Sequence, residues 1–372
     1  MEDVSSSGLL RGVRTVFVAL RDIRFAKGRF ALMGAVVTLI TTLVVFLYGL
    51  TGGLASAASS SIAELPTQSV VFGAPQGAAP EVSFSNSAIS PQQEQAFRSA
   101  PGIGKVEPLG VAMSRLTGAG SATSVSVFGA PADLLPPLVS GTAPQNGQIA
   151  VGQKVADDSR IKVGDQVSVG GQTLTVSGIT TDRSYAHAAS VWTTPDTWSQ
   201  ATGAKEPNAL AVDPGSADVA ALDKAQNTDT VSRSDALAGI DGYSAEQGSL
   251  QMIQGFLFAV SALVVGAFFT VWTVQRKPDI AVLKAVGASS AYLVRDALAQ
   301  ALAMLVVGAL SGAAIGFLGG ALLGGTGLPF TLGAATIAVP VVVMVLLGLA
   351  GAALAVRRIT SVDPLTALGA NR

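Results

Sequence analysis

Cysteine is absent from the 372 residues, and histidine occurs once, at His187. Without thiols the chain can form no disulfide and carry no thiolate nucleophile. A zinc site would lack its usual nitrogen and sulfur ligands. Two catalytic signatures are missing as well. No Gly-x-x-x-x-Gly-Lys-Ser/Thr phosphate loop occurs: Gly104-Lys105 is followed by valine, and Ser99 stands where the first glycine belongs. Nor is there a Gly-x-Ser-x-Gly nucleophile elbow. Autonomous ATP hydrolysis and catalysis in general are therefore not expected, and no intrinsic cofactor or nucleic-acid partner is expected either.

Charge is scarce, at 13% of residues against 49% hydrophobic ones. Its gaps are more telling than its amount. No charged side chain lies between Arg29 and Glu64, between Glu246 and Arg276, or between Asp296 and Arg357. Each of the first two gaps fits one helix of about 20 residues crossing about 30 Å of hydrocarbon. The third holds 60 uncharged residues interrupted at Gly324-Gly-Thr-Gly-Leu-Pro-Phe330, and reads as two spans with a tight turn. The expected fold is thus a membrane protein with four transmembrane α-helices. Its segments are a tail and amphipathic helix over 1–29, a first span over 30–58, an α+β domain over 59–247, and a second span over 248–274. A short helical loop over 275–291, the third and fourth spans over 292–356 and a tail over 357–372 complete it.

The positive charges orient this arrangement. Six Lys and Arg fall in residues 1–29, four in 275–296 and three after 356, whereas 59–247 carries 10 basic against 18 acidic residues. By the positive-inside rule both tails and the 275–291 loop face the cytoplasm, and 59–247 lies outside. No cleavable signal peptide is expected, because the first apolar run is too long for one. Met1 to Gly8 is polar and Ser-rich, with no ordered structure expected. From Leu9, Leu10, Val13, Phe17 and Leu20 form a stripe beside Arg11, Arg14, Arg21, Arg24 and Lys27. That helix either lies in the inner lipid interface or is a charge cluster that stops translocation.

The domain between the first two spans alternates strand and helix signals. Ser90-Pro91-Gln92-Gln93 is a capping box with proline at the first helical position. Gly170-Gly171 joins two alternating runs as a hairpin. Asp182 to Ala189 reads as a loop far in sequence from either span, and its His187 as a solvated or structural residue. In the 275–291 loop, Pro278 and Asp279 suit a helix start and Gly287 its end. Ile280, Leu283 and Val286 recur every three residues as one apolar stripe with Lys284 beside it, a surface that needs a docking partner.

Three stretches resemble one family. Arg276 to Gly287 is similar to the charged segment preceding the third helix of MacB/FtsX-type ABC transporter permeases. Gly147–Gly152 followed by Lys162–Gly171 and Leu174–Ile179 resembles that family's outer domain, and Arg358–Leu368 its C-terminal motif. The resemblance implies a homodimer in the plasma membrane, driven by two copies of a separate cytoplasmic ABC ATPase that docks on Ile280, Leu283, Lys284 and Val286. It also implies mechanotransmission, in which nucleotide-driven helix bending replaces a through-channel. The first helix and its continuation look most like haem-exporter permeases of the HrtB type. Exporters of drugs, lipids or lipoproteins, and transmembrane regulators of a cell-wall hydrolase, are the alternatives.

Haem taken from membrane lipid needs an iron ligand and a flat slot. Glu64 is the first charge after the first span and follows Gly49, Gly52, Gly53, Ala55, Ser56 and Ala57, small residues that admit either another helix or a planar ligand. Two symmetry-related Glu64 carboxylates repel unless a cation such as ferric iron sits between them. Glu246, Tyr243 and Met252 flank the second span as further candidates, and Tyr48 reads as an interfacial aromatic. No Lys or Arg occurs from 30 to 97 or from 234 to 275. Propionates would then rely on Ser59 to Ser61, Gln247, Gln251 or water.

Overall fold

The computed structural model describes residues 27–74, 78–118, 120–323, 328–331 and 333–360. The expected amphipathic helix near the N-terminus and the motif from 361 onward lie outside them. Among the described residues, four helices are long and apolar enough to cross a membrane: α1 (Lys27–Ala63), α6 (Tyr243–Gln275), α8 (Ser290–Leu323) and α9 (Ala334–Thr360). The short α7 (Lys277–Ala285) lies between α6 and α8. The chain divides into a helical unit, up to residue 53 and from 250 onward, and a sheet unit over 54–249.

In the helical unit all four long helices contribute to one core, with Val37 and Val44 of α1, Val265 and Phe269 of α6, Leu305 of α8, and Met344 and Ala352 of α9. Glycine sets how closely they approach. Gly308, Gly312 and Gly316 of α8 face Val37, the Thr38 carbonyl with Thr41, and Val45 of α1, where a Cβ would collide. Thr42 Oγ1 donates across this seam to the Gly312 carbonyl at 3.1 Å. Gly266 of α6 and Gly351 of α9 also come together, with less room on the Gly351 side, where a Cβ would lie 3.1 Å from the Gly266 Cα. With no hydrophobic effect between helices in lipid, such small-residue contacts supply the packing. Leu39, Leu263, Leu318 and Leu354 remain exposed on the outside of the bundle, as lipid contact requires.

Among the described residues the sheet unit holds eleven strands. They are β1 (Ser69–Phe72), β2 (Val106–Gly118), β3 (Ser121–Gly129), β4 (Leu138–Gly141), β5 (Gln148–Gly152), β6 (Gln166–Val169), β7 (Gln172–Thr180), β8 (Ser184–Tyr185), β9 (Ala188–Thr193), β10 (Ala209–Val212) and β11 (Asp229–Ser232). Four helices accompany them: α2 (Pro91–Ser99), α3 (Gln153–Ser159), α4 (Pro195–Thr202) and α5 (Val219–Gln226). The sheet runs β11-β1-β10-β2-β3-β9-β5-β7-β4, with β6 joining β2 and β7, and β8 joining β9. Only β3 with β9 and β5 with β7 are parallel among the described pairs.

Sequence chemistry explains the local pieces. Ser90 accepts from Gln93 N–H while the Gln93 side chain accepts from Ser90 N–H, which closes the capping box ahead of α2. Gly170 and Gly171, both at positive φ, make the β6–β7 turn. Gly110 and Gly129 are directly opposite each other on β2 and β3, and the Trp198 ring of α4 lies on both. Beneath the sheet Phe72, Phe84, Tyr185, Phe128 and Trp192 pack in series, with Phe128 stacked 4.5 Å from Trp192. Burial, with Asp241 nearby, pushes the Tyr185 phenol well above its ordinary range.

Candidate functional site

The segment 183–190 is a hairpin laid along the last turns of α1, and not a loop remote from the spans. Ser184 pairs with Ala189 and Tyr185 with Ala188, so Ala186 and His187 form a two-residue turn. Both have positive φ, 48° and 62°, the left-handed pair that such a turn demands. Most sequences meet that demand with Asn-Gly; here two residues with side chains are held in it by what surrounds them.

Contacts to α1 run in antiparallel order. His187 N–H donates to the Ala57 carbonyl at 3.1 Å, and Ala186 N–H to Ala58 at 2.8 Å. Ser184 N–H donates to Ser60 Oγ at 2.8 Å, and Arg183 reaches Glu64. Seven helical residues rise about 10 Å, close to the about 13 Å that four extended residues cover. The hairpin therefore tracks the helix end at nearly matched pitch. Ser61 and Ser126 hydroxyls both meet Ser190 Oγ inside this seam, all three buried. Ser59 Oγ donates back to the Ala55 carbonyl. The hydroxyls of Ser59 to Ser61, expected to serve a ligand's carboxylates, are taken up by the fold.

Two ion pairs finish the seam. Arg183 Nη2 lies 2.7 Å from Glu64 Oε2, and the Glu64 side chain stays 52% exposed. His187 Nε2 lies 2.9 Å from Glu246 Oε2 near the start of α6. Next to Glu64, Arg233 Nη1 donates to the Leu65 carbonyl at 2.7 Å, a cation placed where the α1 dipole is negative. Arg183 and Arg233 thus stand on consecutive residues of a helix end that the sequence leaves without a basic neighbour.

The other candidate residues are distributed as follows. Tyr243 is half-buried against the aromatic core of the sheet unit. Met252, in the helical unit, is 64% exposed, and Tyr48 meets Phe258 edge-on at 5.9 Å. Gly49, Gly52 and Gly53 face Phe330, Thr331 and Pro329, so the part of α1 that seemed able to admit a flat ligand packs against the chain between α8 and α9. Among the described residues no three His, Asp or Glu side chains gather to hold a bare metal ion.

In the helical unit, α7 is closed by Gly287 at φ 98°, whose N–H donates to Lys284, while Ala288 N–H donates to Leu283. Leu283 and Val286 are exposed and Ile280 and Lys284 half-exposed, so the stripe is open; Val282, outside the three-residue repeat, is 62% exposed beside it. Arg276 makes the break before α7. Its guanidinium donates to Gln300 Oε1 and lies 5.0 Å over the Trp272 ring, and buried Gln300 donates to Asp296 at 2.9 Å.

Residues 30–233 match the model of the MacB-like periplasmic core domain, and residues 252–364 that of the FtsX-like permease C-terminal region. The chain is an ABC transporter permease of the MacB/FtsX family. Two kinds of relative align with the permease nearly end to end. A putative hemin transport system permease protein HrtB of Staphylococcus haemolyticus is 26% identical over 364 residues, covering 95% of this chain and 99% of the relative. An uncharacterized ABC transporter permease of Mycobacterium tuberculosis is 25% identical over 362 residues, with the same coverage. Among solved structures, the periplasmic region of MacB from Actinobacillus actinomycetemcomitans matches at 11% identity and a TM-score of 0.36, over 46% of this chain and 90% of that one.

Sequence reasoning placed Glu64 and Glu246 on the permease but not their partners, Arg183 and His187. Only one cue was available: a charged and a titratable residue set in the short run Arg183-Ser-Tyr-Ala-His187, between stretches that read as strands.

Proposed function

We propose that this permease exports haem from the membrane as a homodimer, powered by two copies of a cytoplasmic ATPase that dock on α7. Glu64 supports the reading most directly. It is half exposed at the end of α1, with Oε2 on Arg183 and no partner for Oε1 among the described residues. A carboxylate held on one oxygen and open on the other suits an axial ligand, since outer partners orient ligating groups. Haem brings four ring nitrogens of its own, so one carboxylate from each protomer suffices. The name of the staphylococcal relatives agrees with this substrate.

Being largely apolar, haem can enter sideways from lipid. Bending of the helices by the nucleotide cycle then expels it outward, with the sheet unit outside and both tails in the cytoplasm. The experiment is a haem titration of wild type, Glu64→Ala and His187→Ala, followed by absorption. Saturable binding with a high-spin ferric spectrum, lost in Glu64→Ala, is the expected outcome. Binding unchanged in Glu64→Ala but lost in His187→Ala overturns the ligand assignment. Binding by none of them overturns haem as substrate and leaves the permease in place.

A further inference from the structure

We propose that Arg183 recognises a carboxylate of the transported molecule, beside the iron ligand Glu64; this rests on the haem reading above. Haem presents two propionates, yet the sequence after the first span and before the second offers no nearby cation to receive them. Folding brings two arginines to the α1 end, and they are not equivalent. Arg233 donates its side chain to the Leu65 carbonyl and touches no carboxylate among the described residues, whereas Arg183 sits on Glu64 itself. Arg183 is not saturated. Its guanidinium has five donors, and its side-chain partners are Glu64 Oε2 at 2.7 Å and the Asp182 carbonyl at 2.8 Å.

The side chain is only 18% exposed, so the cation is largely desolvated. It is held at the root of a hairpin that is itself tied to α1 by three main-chain N–H groups. A fixed, planar fork with spare donors is well suited to a second carboxylate. Electrostatics points the same way. Each Glu64 already balances its own Arg183, so the ferric porphyrin core adds one net positive charge to a neutral site and calls for an anion. A propionate supplies it. In a two-fold dimer, two Arg183 guanidiniums then match the two propionates of one haem.

The test compares ferric haem with its dimethyl ester, which keeps ring and iron but lacks the propionate charges. Both are titrated into the full-length protein in detergent, wild type and Arg183→Gln. Wild type should prefer haem over the ester by about tenfold, the size expected of a charge-assisted pair. Arg183→Gln should bring the ratio of the two affinities to about one, whatever change the release of Glu64 adds equally to both. Equal weakening of both porphyrins with the ratio preserved shows that Arg183 acts only through Glu64, and overturns the inference while leaving the haem reading intact. Failure of wild type to bind either porphyrin overturns the haem reading itself. Should Arg183→Gln not fold, Arg183→Lys keeps the charge without the fork, and its preference should shrink to a few-fold; an undiminished preference overturns the inference.

Discussion

His187 and Glu246, 59 residues apart, meet at 2.9 Å and join the β8–β9 turn to the start of α6. The pair is about half exposed on the histidine side, so its strength is limited by solvent. What holds the turn is the backbone donation from Ala186 and His187 to α1, together with the buried Ser61–Ser190–Ser126 hydroxyls. His187→Ala should therefore lower stability by less than about 1 kcal/mol. Ser190→Ala, which takes the partner from the buried Ser61 hydroxyl and one of three from Ser126, should cost about 1–3 kcal/mol. Thermal unfolding of the two variants should separate them in that order, and the reverse order would give the turn to the ion pair.

Ala186 occupies the left-handed region at φ 48°, which costs a residue with a Cβ roughly 1–2 kcal/mol. Ala186→Gly should raise stability by about 1 kcal/mol, after allowing for glycine's greater freedom in the unfolded chain. A variant less stable than wild type would show that the alanine methyl packs more than its conformation strains.

The pairing of Gly110 with Gly129 under Trp198 makes an opposite case, where the strand-favouring residue is the harmful one. Valine at 129 suits a β-strand but would drive its Cβ into the Trp198 side chain. Gly129→Val should destabilise by about 1–3 kcal/mol. Urea unfolding should show a lower midpoint; an unchanged midpoint would mean that α4 can shift away without loss.

Leu283 is exposed in the α7 stripe, so replacing it should cost the permease itself little. Against a docked ATPase, Leu283→Asp buries an unpaired charge, a change worth about 3–5 kcal/mol. Co-purification of the ATPase should fall by at least about a hundredfold in apparent affinity. Retention of the ATPase with normal stimulation would remove α7 from the interface.

How much of this was legible in the sequence depended on range. The spans follow from charge gaps tens of residues long, and α2 and the β6–β7 turn from Ser90-Pro91-Gln92-Gln93 and Gly170-Gly171, signals contained within a few positions. Strand β4 was missed because all four residues are exposed and Pro136-Pro137 precede it, so neither alternation nor burial marks it. Strand β8 was missed because Ala186-His187 lacks turn chemistry; its geometry is imposed by α1. The pairing of Glu64 with Arg183 crosses 119 residues, and nothing local in either residue names the other. The small residues of α1 were visible, but whether they admit a ligand or Phe330 depends on a segment near the far end of the chain.

The glycine seam between α1 and α8 also has a bearing on how the permease is made. Thr42 and Gly312 touch from 270 positions apart. At about 5–20 residues synthesised per second, α1 waits roughly 15–50 s after its own insertion before its partner helix exists. Through that interval its closest packing surface faces lipid or other proteins of the insertion machinery, while the whole sheet unit is translated and folds. Variants at Gly308, Gly312 or Gly316 would then be read first as a failure of biogenesis, in protein that is degraded before any transport defect can be measured.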